Sequence, residues 1–101
     1  MNRQGDILII PITKAPKKLT PVTPEHGRLI LARGEATGHH HSVDARCATL
    51  NLDEGGVMFL DVEELTEVRH QEHDPIALEP GQYKVVRQRE YTPEAIRNVQ
   101  D

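Results

Sequence analysis

The apolar residues of this chain come in short, β-branched runs interrupted by Pro, Gly and acidic residues, and this punctuation limits the fold more than any other feature. Ile7-Leu8-Ile9-Ile10-Pro11-Ile12 follows Gly5-Asp6 and reads as a largely buried strand. Pro11 has no N–H for a ladder, so it marks an edge or a bulge there. Residues 28–33 form a second strand, and the loose alternation of residues 43–52 predicts a third. Asp53-Glu54-Gly55-Gly56 then makes a turn, its glycines supplying positive φ. Val57-Met58-Phe59-Leu60 is wholly apolar, as a central strand would be, and residues 61–65 read as strand and bend. Residues 65–70 and 82–89 complete the strands, the latter after a Pro80-Gly81 turn. Residues 13–27, with Pro16, Pro21 and Pro24 and no apolar period, read as a long loop or arm. Thr92-Pro93-Glu94 alone carries helix-start signals, predicting a short C-terminal helical turn over 93–99. Six or seven short strands separated by turns predict a single all-β domain spanning 1–101, a small β-sandwich or barrel.

Composition narrows the function classes. With two Tyr, one Phe and no Trp, the core has to be aliphatic, and platforms for stacking bases are not expected. The net charge of −4 hides an asymmetry: residues 1–33 carry +4, residues 34–79 carry −9 and residues 80–101 carry +1. Only Lys14, Lys17 and Lys18 cluster, in the Pro-rich loop, which is too little for a nucleic-acid face. A solvated loop is the preferred reading of that cluster, and the basic end meeting the acidic middle of a second copy is the sharper one. A single Cys excludes an internal disulfide and favours a reducing compartment. No apolar run approaches the length of a membrane span, and the N-terminus lacks the core of a signal peptide. A cytoplasmic protein that binds neither nucleic acid nor membrane is the expectation.

Five of the six histidines fall in two groups, His39-His40-His41 and His70-Gln71-Glu72-His73, and His26 stands alone in the Pro-rich loop. On a strand, His39 and His41 project to one face and His40 to the other. Two imidazoles on a stiff backbone are half of a site for a divalent transition metal such as zinc, iron or nickel. His70 and His73 would supply the rest, brought together by a turn near Glu72 or Asp74-Pro75. Glu35, Asp44 and Glu72 are the acidic neighbours. Each suits a fourth ligand, an acceptor for an imidazole N–H, or a general base beside a metal-bound water, with Glu72 first and Glu35 second for the catalytic role. The His-Gln-Glu-His spacing is not the helical zinc-protease pattern, which needs His at i and i+4. Polar surface histidines, a satisfied buried network and a pH switch are the competing readings.

Other motifs carry less. Cys47, in the alternating segment, reads as a small core residue. Ser42 belongs to no recognisable nucleophile triad, and Gly55-Gly56 lacks the Lys and helix of a phosphate loop. Gln88-Arg89-Glu90-Tyr91 reads as a strand end meeting solvent, against a patch in which Arg89 grips an anion.

Gly34-Glu35-Ala36-Thr37-Gly38-His39-His40-His41 partly resembles the first cupin motif, a Gly followed by a His-x-His metal pair on a strand. The resemblance implies a cupin-like double-stranded β-helix. The chain lacks the Glu expected after the His pair, offering Asp44, and no His follows Pro80-Gly81. Over most of its length it looks more like a group of small, uncharacterised bacterial proteins. These open with Gln-Gly-Asp (Gln4 to Asp6), carry Gly-Glu-x-Thr-Gly-His-x-His (Gly34 to His41), and close with Glu-His-x-Pro-Ile, Pro-Gly-x-Tyr and Gln-Arg-Glu-Tyr (Glu72 to Tyr91). That likeness implies one complete domain and no particular chemistry.

Two functions follow. One is a metal-binding β-domain with His39, His41, His70 and His73 as ligands and a small polar or anionic molecule as partner, acting as an enzyme or as a binder. The other is a non-catalytic homo-oligomeric assembly protein, with histidines at the subunit boundary and the Pro-rich arm reaching a neighbour.

Overall fold

The computed structural model describes residues 2–34 and 38–87, and these are all-β. Ten strands run in chain order: β1 Asn2–Gln4, β2 Ile7–Ile12, β3 Thr20–Pro21, β4 Arg28–Arg33, β5 His40–Asp44, β6 Ala48–Leu52, β7 Met58–Val62, β8 Thr66–Val68, β9 Ile76–Leu78 and β10 Gly81–Arg87. Six of them make one sheet in the order β1-β2-β10-β7-β6-β3, every pair antiparallel. Hairpins β4–β5 and β8–β9 form two small sheets. A bridge joins these hairpins, with Ser42 and Arg69 exchanging backbone hydrogen bonds of 3.0 and 2.8 Å.

Alternation sets the core. Ile7 and Ile9 of β2 are fully buried, and they share one cluster with Leu29 and Val43 of the first hairpin and Val68 and Leu78 of the second. Leu50 and Leu60 close it from the six-stranded sheet. Pro11 is tolerated because β1 pairs with β2 only as far as Ile9, leaving that side of Pro11 open.

The structure corrects several expectations. The six-stranded sheet has open edges at β1 and β3, of three and two residues, so the described residues form no closed barrel, cupin-like or otherwise. The alternation over 43–52 is two strands, broken by a turn at residues 45–47. Cys47 sits half-buried in that turn instead of in a strand core. The Pro-rich segment is not a free arm: Thr20–Pro21 pairs with β6 and the Val22 N–H donates to the Leu50 carbonyl at 2.8 Å. An edge strand can take Pro21 because its outer side needs no donor. β9 was not foreseen, because Ile-Ala-Leu is too short to show a period. The predicted helical turn over 93–99 and the stretch 88–91 lie outside the described residues. Among the described residues, no helix is long and apolar enough to cross a membrane.

Candidate functional site

The site begins at a two-residue turn. Gln4 and Ile7 pair across a two-residue hairpin loop, Gly5-Asp6, with Gly5 at φ +58°. Glycine at the first central position matches the strand twist, as in a type II′ turn, and leaves Gln4 and Asp6 flanking it. Gly5 also lies against the histidines, since a Cβ placed there would meet His73 Nε2 at 2.7 Å and His41 Cε1 at 3.3 Å.

Gln4 is buried, and its amide ties three segments together. The side-chain NH2 donates to the Val68 carbonyl at 2.9 Å and to the Asp74 carbonyl at 2.8 Å, bracketing the bend that carries His70 and His73. With its nitrogen so committed, the Gln4 Oε1 faces His41 Nδ1 at 2.8 Å and must accept from it. The His41 proton is therefore fixed on Nδ1, and the Nε2 lone pair looks at Asp6 Oδ1, 3.4 Å away. Asp6 in turn accepts from Arg87 Nε at 2.9 Å through its other oxygen.

Around His41 the other imidazoles gather. Its ring centroid lies 4.4 Å from that of His70 and 6.0 Å from that of His73, and His70 and His73 are 4.6 Å apart. His39 packs edge-on against His70 at 5.6 Å. These four imidazoles thus adjoin one another from two chain segments, His41 buried and His73 exposed. A register shift between Ile30 and Ala32, opposite His41, marks the strand next to the site. His40 Nδ1 lies 3.1 Å from the Gly38 carbonyl oxygen, and the His40 backbone N–H donates to Gln71 Oε1 at 2.8 Å.

The electrostatics follow from burial. His41 is pushed down to about 4, first by desolvation and then by His70, with Asp6 opposing. It is neutral at pH 7, which keeps the Nε2 lone pair available. His70 is lowered by burial and by its neighbours His73 and His39. For Asp6, burial alone would raise the carboxyl, but the hydrogen bond and charge of Arg87 outweigh it and hold the group below its usual range.

The acidic candidates divide. Glu72 stands at the rim, 3.9 Å from His39 Nδ1, and its backbone N–H donates to His70 Nδ1 at 3.0 Å. Asp44 is drawn off to Arg46 by a 2.8 Å ion pair, and Glu35 lies outside the described residues. His26 is in a separate two-residue turn with Gly27, both at positive φ. Sequence reading missed Gln4 and Asp6 as site residues. Their only signal was a Gly between two polar side chains at a strand start, with nothing to say what the turn would face.

Residues 3–88 match the family described as Domain of unknown function (DUF8820). The chain belongs to that family. The DUF8820 match spans both histidine groups and the Gln4-Gly5-Asp6 turn. No curated protein and no solved structure matches the chain.

Proposed function

We propose that this DUF8820 chain binds one divalent transition metal ion, with His41, His70 and His73 as nitrogen donors and Asp6 as the oxygen donor. The observation that carries the reading is the fixed His41 tautomer: Gln4 holds the proton on Nδ1 and aims the Nε2 lone pair at a carboxylate oxygen 3.4 Å away. A ligating His commonly donates its other N–H to a neighbouring acceptor in this way. Two imidazoles sharing a tetrahedral zinc, each bonded at about 2.1 Å, have ring centroids roughly 5 Å apart. The separations of 4.4, 4.6 and 6.0 Å bracket that value.

Among the described residues, no three His, Cys, Asp or Glu side chains already stand close enough to hold a metal. Closing the site requires His70 and His73 to turn inward. His70 precedes and His73 ends the bend at residues 71–73, and the Glu72 N–H that His70 would release is exposed, so water can take it. His39 and Glu72 stand at the mouth. Glu72 is the group placed to accept a proton from a small polar ligand entering there.

Metal content of untagged protein, followed by zinc titration calorimetry, tests the reading. One ion per chain is expected, lost in His41→Ala and retained in His26→Ala. Protein without stoichiometric metal that takes up no zinc, or a His41→Ala variant that binds as well as the parent, would overturn it.

A further inference from the structure

Beside the histidines, where β4, β5 and the residues after β8 meet, lies an open depression of about 390 Å³. We propose that this depression, bounded by Arg28, His40, Ser42, Arg69, His70 and Gln71, binds a small oxyanion, the carboxylate or phosphate group of a ligand whose other end reaches His70. The anion site stands without a metal. Its role as the anchoring end of a metal-bound ligand rests on the reading above.

Charge is the first argument. Residues 34–79 hold eleven acidic side chains and two arginines, yet one of those arginines, Arg69, meets Arg28 at this depression. The nearby carboxylates are largely engaged. Asp44 pairs with Arg46 at 2.8 Å, and Glu67 pairs with Arg69 at 3.0 Å. The Arg69–Glu67 pair is solvent-exposed and worth only about 0–1 kcal/mol, so an incoming anion displaces it at little cost.

Preorganisation is the second. The Arg28 Nε donates to Ser42 Oγ and one terminal nitrogen donates to the Ser42 carbonyl, both at 3.0 Å, which fixes the guanidinium plane. A fixed planar fork of donors fits two oxygens of a carboxylate or phosphate. The Ser42–Arg69 bridge locks the backbones of β5 and Arg69 together and so sets the spacing of the two arginines. His70 lines the depression and touches His39, His41 and His73, so an anion held here sits next to the proposed metal.

The test uses the full chain freed of metal with a chelator and labelled with ¹⁵N. It is titrated with inorganic phosphate and, separately, with acetate, at ionic strength held constant with chloride. Saturable shifts of the Arg69, His70 and Gln71 amides and the Arg28 Nε–H are expected. Arg69→Gln should weaken binding about tenfold, as loss of a charge-assisted pair does, without changing thermal stability or zinc binding. Tighter phosphate assigns a phosphorylated ligand, and tighter acetate a carboxylate. Shifts that never saturate, or that Lys14, Lys17 and Lys18 share equally, overturn the proposal, as does an Arg69→Gln variant that binds unchanged. Zinc loading separates the two readings: a chain that binds zinc but no anion sinks this inference alone, and one that binds anion but no zinc sinks the metal reading alone.

Discussion

Gln4→Met removes the amide and keeps the length of the side chain, so it isolates what the three hydrogen bonds do. Losing Gln4 leaves the buried His41 Nδ1 without its partner, as a stranded N–H or, once the proton has moved, as an unmatched lone pair, a penalty of about 1–3 kcal/mol. The buried Val68 carbonyl loses one partner, for about 0.5–1.5 kcal/mol more. The Asp74 carbonyl is partly exposed and can turn to water. A loss of roughly 2–4 kcal/mol results, a large share of the ~5–15 kcal/mol that holds a domain of this size. Urea unfolding should show it as a lower midpoint with unchanged slope, and the thermal midpoint should fall by about 4–8 °C per kcal/mol. The same change frees the His41 proton to move to Nε2 and donate to Asp6, which removes the lone pair from the site. Zinc affinity should therefore fall about 10–100-fold in calorimetry. A variant within about 0.5 kcal/mol of the parent, the usual range for an inconsequential surface change, would refute the clamp. A destabilised variant with undiminished zinc affinity would refute its link to the metal.

Three further outcomes are expected. In chelator-treated protein, the folded pKa of His41 near 4 lies below its ordinary 6.5, so the unfolded chain binds the extra proton between those values. Stability is then full above about pH 6.5 and falls as pH drops toward 4, with a slope of up to about 1.4 kcal/mol per pH unit that His41→Ala should flatten in urea-unfolding curves. Gly5→Ala and Gly27→Ala both force Ala to positive φ, at about 1–2 kcal/mol each, but only at Gly5 would the new methyl strike His73. Calorimetry should show weaker zinc binding in the first variant and none of that effect in the second. His73→Ala removes an exposed side chain and should change the unfolding free energy from urea curves by no more than about 0.5 kcal/mol while weakening zinc binding at least tenfold. Equal zinc affinity would exclude His73 as a ligand.

What could be read from the sequence was what depends on near neighbours. The apolar runs at 7–12, 28–33 and 57–60 became β2, β4 and β7 with small shifts at their ends, because a β-branched run between turn residues has few alternatives. His39, just before β5, and His41 within it both lie against His70. Contacts between distant segments were not legible. Ala45-Arg46-Cys47 carries no Gly or Pro, and its turn is held by the Asp44 carboxylate accepting from the Arg46 N–H at 2.8 Å. β3 exists because β6 offers an edge to pair with, a partner that the Pro-rich segment does not reveal. The site's anchor was hidden in the same way: Gln4 is 37 residues from His41 and 70 from Asp74.

The arrangement also sorts the proposed ligands by how firmly the fold holds them. His41 is buried within a strand, and Asp6 lies in a hairpin turn with its second oxygen on Arg87, so these two are placed before any ion arrives. His70 precedes and His73 ends a bend whose flanks the Gln4 amide ties at Val68 and Asp74, beside the Ser42–Arg69 bridge. A metal bound as proposed would gain two prepositioned donors and have to order two more, so part of its binding energy would go into fixing the bend. Affinity in such a site is set less by the imidazoles themselves than by how tightly Gln4 limits the bend's freedom beforehand. A buried glutamine with no contact to the ion would then control how well the ion binds, through the entropy of the segment that it ties down.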